Sequence, residues 1–103
     1  MKTISSQRYI DEDIVSAKIS AEDFMVTVSP VFEFEGETFR VVLDGHHSLT
    51  AAHQAGVAPS YCEATATEHD AIGLIKDGSI VAFLESTHMG DDYYDVETGL
   101  CVW

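Results

Sequence analysis

The stretch Arg40-Val-Val-Leu-Asp-Gly-His-His-Ser-Leu-Thr-Ala-Ala-His-Gln-Ala-Gly56 is the most informative part of this chain. Its β-branched residues predict a strand that ends at Asp44-Gly45, and a helix follows from about His47 to Ala55 with Gly56 as its C′ residue. Asp44 is the predicted N-cap or turn residue ahead of that helix. A junction of this kind gathers backbone N–H groups and titratable side chains at one point, where anions bind readily.

A β-hairpin is predicted just upstream, because apolar and polar residues alternate on both sides of Glu35-Gly36. Its expected apolar positions are Phe32, Phe34, Phe39, Val41 and Leu43, whereas Glu33 and Arg40 are expected to face outward. Residues 24–34 predict the entering strand, and Pro30 within it indicates either an edge strand or a bend.

The remaining elements rest on weaker patterns. Ile14, Val15 and Ile19 fit either one weak strand or a short helix, and Ser20 has a capping-box partner in Asp23. Downstream, the predictions are a strand over 60–67, a short helix over 72–75 that starts at Thr67-x-x-Asp70, a buried strand over 79–85, and a terminal strand or docked apolar tail over 100–103. The resulting order, β-β-α-β-α-β, predicts an α+β fold: a small mixed β-sheet with two short helices.

Length and hydropathy indicate one domain over residues 1–103. No run approaches the roughly 18 apolar residues of a membrane span, and residues 1–6 lack the apolar core of a secretory signal. We therefore expect a cytoplasmic protein with no membrane contact. Cys62 and Cys101 match no metal-ligand spacing, so two reduced thiols are predicted, with one disulfide as the alternative.

Charge restricts the partners that this chain can have. Eighteen Asp and Glu residues face five Lys and Arg residues, giving a formal net charge of −13. The cations are scattered: Lys2, Arg8, Lys18, Arg40 and Lys76. Because like charges repel over a Debye length of about 8 Å at physiological salt, direct nucleic-acid binding is not expected. A protein partner with a basic surface is predicted, and solubility alone is the simpler explanation of the charge.

Residues 42–56 resemble the ParB/sulfiredoxin superfamily, whose members carry Gly-x-[His/Arg]-Arg-x-x-Ala-Ala between a strand and a helix-ending glycine. The matching residues here are Gly45, His46, His47, Ser48, Ala51, Ala52 and Gly56. The likeness extends over about residues 20–66. It implies a small ParB/sulfiredoxin-like fold that binds a nucleotide with Mg, or another phosphate group, at the helix start. The ligand-binding residues that it implies are Asp44, Gly45, His46, His47 and Ser48.

Two positions depart from the family pattern. The family's arginine falls at Ser48, whose hydroxyl cannot neutralise phosphate, and losing a charge-assisted contact typically removes about 1.5–3 kcal/mol. The cysteine of sulfiredoxins falls at His46. These departures exclude thiol-based sulfinate repair and indicate weakened phosphate binding.

His46 and His47 are the candidate catalytic residues, because histidine titrates near neutral pH without perturbation. Adjacent residues at a helix start point in different directions, so at most one is expected to face a shared pocket. The alternative is that His47 packs in the fold or caps the helix. No metal site is predicted, because His46 and His53 would lie about 10 Å apart along a helix, too far to share one ion.

The acidic segment over residues 86–98 carries the candidate protein-interaction residues Asp91, Asp92, Tyr93, Tyr94 and Asp95. Tyrosine rings are rigid anchors that interfaces use often. Packing of both rings on the sheet is the alternative. The carboxylates lack the oxygen spacing of a calcium loop.

Three classes of function follow. The favoured one is a non-catalytic ParB-like domain that acts as a regulatory or binding module through a protein partner. The second is a phage- or plasmid-type inhibitor that imitates DNA and blocks a nucleic-acid-binding protein, as anti-CRISPR and anti-restriction proteins do. The third is a nucleotide-dependent ParB-like enzyme, for NTP hydrolysis or phosphoryl transfer, in which His46 or His47 replaces the arginine. Each of the three classes of function is compatible with a homodimer.

Overall fold

A computed structural model of the chain describes residues 1–65, 67, 69–89 and 92–102. The strands within these ranges are β1 (Lys2–Ser5), β2 (Met25–Val28), β3 (Phe32–Phe34), β4 (Glu37–Asp44), β5 (Ser60–Glu63) and β6 (Tyr94–Asp95). The helices are α1 (Glu12–Ser20), α2 (His46–Ala55), α3 (Ile72–Lys76) and α4 (Ile80–Thr87).

The strands form one mixed sheet with the order β5-β2-β4-β1-β6. The long strand β4 organises it: β1 pairs with β4 in parallel, while β3 and β2 pair antiparallel with successive segments of β4. At the edges, β5 lies parallel to β2 and β6 lies antiparallel to β1. The predicted fold class, α+β with a mixed sheet, is confirmed, although the described residues form four short helices rather than two.

The hairpin and the strand–turn–helix junction agree with their predictions. Strands β3 and β4 flank Glu35-Gly36, and Gly56 follows α2 as its cap residue in the left-handed conformation. The entering strand over 24–34 is interrupted at residues 29–31, so the bend at Pro30 is confirmed and β2 and β3 are separate strands.

Three local predictions are wrong, and one strand was not predicted. Residues 80–85 of the predicted strand over 79–85 lie in helix α4, because the buried residues Phe83, Leu84 and Thr87 recur at helical spacing. Strand β1 was not predicted. Ser20 is the last residue of α1 and caps no later helix. Helix α3 follows Ala71 without a side-chain cap, so the predicted start at Thr67 and Asp70 is not used.

Apolar residues pack on both faces of the sheet. On one face, Phe39, Val41 and Leu43 pack with residues of α3 and α4, and Phe32 meets Phe83 edge-on with ring centroids 5.5 Å apart. On the other face, Val42 packs with Val28 and with Leu49 of α2. The alternation along β4 therefore fixes α2 to one side of the sheet and α3 and α4 to the other.

Helix α1 lies beside α2 and brings its own residues to the helix start. The Asp11 carboxylate caps α1 by accepting hydrogen bonds from the N–H groups of Asp13 and Ile14. Val15 of α1 and Ala51 and Ala52 of α2 are fully buried. Their small size permits close packing of the helices, which positions the residues described next.

Candidate functional site

The turn between β4 and α2 depends on Gly45. This residue is the N-cap of α2 with φ +91°, and its carbonyl accepts the first helical hydrogen bond, from Leu49 N. A Cβ at this position would lie 2.6 Å from the Met25 carbonyl oxygen of β2. Of the two roles predicted for Asp44, N-cap or turn residue, the structure supports the second: Asp44 ends β4, and its carboxylate accepts from the adjacent Gly45 N–H at 2.8 Å. A glycine is required here because the helix start lies directly against β2.

His46 is buried at the start of α2 and is held by β1. Its Nε2 lies 2.8 Å from the Ser5 Oγ, which also accepts a hydrogen bond from the Gln7 N–H. Burial lowers the pKa of His46 below its ordinary value of 6.5, opposed by the nearby Asp44 carboxylate and reinforced by His47. The imidazole is therefore neutral at neutral pH, and it connects α2 to the sheet.

His47 contacts helix α1 instead. Its Nε2 accepts a hydrogen bond from the Asp11 backbone N–H at 3.2 Å, so this ring nitrogen carries no proton. Asp11 is the N-cap of α1, and its N–H therefore has a partner outside its own helix. The contact joins the starts of α1 and α2. This geometry agrees with the alternative in which His47 serves the fold.

Ser48, at the position of the family arginine, belongs to a small polar network. Its hydroxyl donates to the Asp23 carboxylate at 3.4 Å, and the Lys18 ammonium donates to the same carboxylate at 2.9 Å. The Lys18 hydrogen bond contributes most to lowering the pKa of Asp23, and the Met25 N–H contributes as well. Lys18 is thus the cation beside the helix start, and it is already paired within the chain.

The five predicted ligand-binding residues lie together. They border a polar recess of about 360 Å³, whose described lining is Gln7, Ile14, Lys18, Asp44, Gly45, His46, His47 and Ser48. Both histidines line it, so the prediction that at most one would do so is wrong. The reason is that the recess wraps around the first turn of α2.

Three lining residues were not predicted: Gln7, Ile14 and Lys18. They come from α1 and the segment before it, about thirty residues earlier in the chain. No motif spacing connects them to Gly45, because only the packing of α1 on α2 brings them together. Capping of α1 by Asp11 is the one local signal that could have placed Lys18 on a helix.

The charges that line the recess do not favour a phosphate. Lys18 shares its charge with Asp23, and the exposed carboxylate of Asp44 stands at the helix start. The N–H groups of the first turn of α2 have no side-chain cap, which leaves them for water or a neutral acceptor. An anion at this position would accept hydrogen bonds from those N–H groups, but the Asp44 carboxylate would repel it.

No grouping of three potential metal ligands occurs among the His, Cys, Asp and Glu residues that the structure describes. Cys62 and Cys101 are exposed and not joined to each other. Neither thiol lines the recess.

The predicted interaction segment is divided between surface and core. Asp92 is exposed, Asp95 is half-buried, and Asp91 lies outside the described residues. Tyr93 is buried, and its hydroxyl donates to the Leu84 carbonyl at 2.7 Å and also bonds to Thr87. Tyr94 donates to the Gln7 carbonyl and has the Arg8 guanidinium 4.0 Å above its ring. Both rings pack within the chain, as the alternative interpretation holds.

None of the helices within the described ranges is long and apolar enough to cross a membrane. No protein-family model, no curated protein and no solved structure matches the chain.

Proposed function

We propose that this domain is a non-catalytic binding module that acts through a protein partner with a basic surface. The observation that carries the proposal is the uncompensated negative charge. Of the sixteen acidic residues that the structure describes, only Glu37 and Asp23 form ion pairs, with Lys2 and Lys18. A surface with so many unpaired carboxylates attracts cationic partners and speeds their association.

The two arginines do little to offset the excess of negative charge at the surface, because both make contacts within the chain. Arg8 lies over the Tyr94 ring and donates to the Gly99 carbonyl. Arg40 donates to the Thr3 hydroxyl at 2.8 Å and lies 4.0 Å above the Tyr61 ring. These contacts hold the guanidinium groups against the protein surface, so few cations project toward a partner.

The histidines support a non-catalytic role. A general base must accept a proton from a substrate, yet the His46 Nε2 faces Ser5 and the His47 Nε2 already accepts from Asp11. Lys18, the cation that lines the recess, is paired with Asp23. In this arrangement the two Nε2 atoms and the Lys18 ammonium already have partners within the chain, and the Ser5 hydroxyl beside His46 is itself buried.

We propose that the chain is a degenerate member of the ParB/sulfiredoxin superfamily. Support comes from the order β4, Gly45, α2, Gly56 and β5, which follows the family's strand, turn, helix and strand. In this proposal the Ser48–Asp23 contact occupies the place where the family's arginine binds phosphate.

The test uses the whole chain as bait in a pull-down at about 0.15 M and 0.5 M salt, with mass spectrometry to identify the captured proteins. The control bait carries Glu33→Gln, Glu63→Gln and Glu85→Gln, all at exposed positions. We expect basic proteins to be captured at low salt, released at high salt, and retained less by the control bait. Capture that is indifferent to both salt and the three substitutions would contradict the proposal.

Two further arms separate the alternatives. Calorimetry with CTP, ATP and ADP, with and without magnesium, should give only heat of dilution. Saturable heat would instead support the nucleotide-dependent enzyme. If a captured partner binds duplex DNA and the chain competes with that DNA, the module acts as a DNA mimic. A partner that binds chain and DNA together would exclude mimicry.

A further inference from the structure

A second concave feature lies away from the histidine recess and shares no lining residue with it. It is a shallow groove of about 420 Å³ between β3 and α4. Its described lining residues are Phe34, Val81, Leu84, Glu85, His88 and Tyr93. The Val81 side chain on the outer face of α4 is 57% exposed, whereas Leu84 forms part of the buried floor. An aliphatic surface is thus presented to solvent beside a packed apolar base.

Negative charge also marks this groove. Glu85 belongs to its lining and is exposed, and the chain as a whole carries a formal net charge of −13. The described lining contains neither lysine nor arginine. The groove therefore combines an apolar centre with an exposed acidic side chain, which suits the polar-rimmed core of an interface.

We propose that this groove, defined by Val81, Leu84 and Glu85, binds the apolar face of a basic amphipathic helix from a partner protein. Aliphatic side chains of the helix contact Val81 and Leu84, and a lysine or arginine of the helix pairs with Glu85. The inference rests on the proposed function, since it locates where the basic partner docks.

Charge and shape distinguish this occupant from others. A second copy of the chain would bring a net charge of −13 to a chain with the same charge, which opposes association. A free apolar molecule is usually buried over most of its surface, which a shallow groove cannot provide. An aliphatic side chain on a partner helix needs the groove to cover only one of its sides.

The experiment measures binding of a fluorescently labelled peptide of about 18 residues, composed of leucine and lysine with the leucines at helical i, i+3, i+4 and i+7 spacing. A matched peptide replaces every leucine with serine and keeps the charge. Both are titrated with the full chain and with two variants, Val81→Gln and Val57→Gln. Val57 is 44% exposed and lies outside the groove, so it is a neutral control for Val81.

We expect the leucine peptide to bind more tightly than the serine peptide. Val81→Gln should weaken leucine-peptide binding about tenfold, and Val57→Gln should change it by less than about twofold. Methyl NMR should show shifts at Val81 and Leu84 but not at Val57, which tests the site without a substitution.

Other outcomes overturn the inference in distinguishable ways. Equal binding of the leucine peptide to both variants would mean that charge alone acts, so the groove would fail while the proposed function stands. If neither peptide binds the unmodified chain at about 0.15 M salt, the result would count against both the groove and the proposed function. A dimer of the free chain that Val81→Gln dissociates, seen by sedimentation, would identify a second copy as the occupant.

Discussion

Substitution of Gly45 by alanine tests the junction on which the site is built. Two costs apply at this residue. The first is the left-handed conformation at φ +91°, which costs a non-glycine residue about 1–2 kcal/mol. The second is the new Cβ, which would lie 2.6 Å from the Met25 carbonyl oxygen and 3.0 Å from the Val26 Cα. Both neighbours are backbone atoms of β2, so the contact cannot be relieved by rotating a side chain.

Gly56→Ala supplies a matched control. Gly56 also has a left-handed conformation, φ +72°, but a Cβ there meets nothing within 4 Å. It therefore carries the conformational cost alone. Overpacking against a fixed backbone costs about 1–3 kcal/mol, so Gly45→Ala should lower the free energy of unfolding by about that much more than Gly56→Ala. The reduced entropy of the unfolded chain offsets both variants similarly.

The assay is urea denaturation followed by circular dichroism, with linear extrapolation to water. Melting temperatures should fall in the same order, by about 4–8 °C per kcal/mol for a domain of this size. If the two variants differ by less than about 0.5 kcal/mol, the close approach of the α2 start to β2 is refuted.

Two further predictions concern the residues around the helix start. The free energy of unfolding should decline as pH falls below about 6.5, because the unfolded chain binds a proton at His46 more readily than the folded chain does. Urea midpoints measured from pH 7.5 to 5.5 should change less with pH in His46→Asn than in the unmodified chain. An equal change in both would contradict the lowered pKa of His46. Asp11→Ala should lower the free energy of unfolding by about 1 kcal/mol, because the variant loses the α1 cap. Asp13→Ala keeps that cap and should lower the free energy of unfolding clearly less. Equal losses for the two variants in urea titrations would refute the capping role of Asp11.

The parts of the fold that sequence predicted well are those with a local physical signature. Period-two alternation around Glu35-Gly36 and the glycine at each end of α2 need no tertiary information. Helix α4 was mistaken for a strand because the run Ile80-Val-Ala-Phe-Leu84 is apolar throughout, and length and periodicity cannot separate the two states over so few residues. The segment is helical in the structure, with its buried residues on one face of α4.

The candidate site was predicted only in its α2 half. The sequence placed Asp44 to Ser48 at one turn, and all of them line the recess. The partners of the two histidines, Ser5 and Asp11, lie 41 and 36 residues away along the chain. Such contacts depend on β1 pairing with β4 and on α1 packing against α2, which no local spacing encodes. The role of the imidazoles therefore followed from tertiary structure.

The central proposal is that His46 and His47 hold the fold together and do not act in catalysis. Long-range ¹H–¹⁵N NMR of the imidazole rings, recorded from pH 7.5 to 5.5 with and without CTP and magnesium, tests it most directly. We expect a neutral His46 ring that protonates only below pH 6.5, a His47 Nε2 that accepts the Asp11 N–H, and spectra that the nucleotide leaves unchanged. A His46 ring already charged at neutral pH, or ring shifts that saturate with nucleotide, would contradict the account.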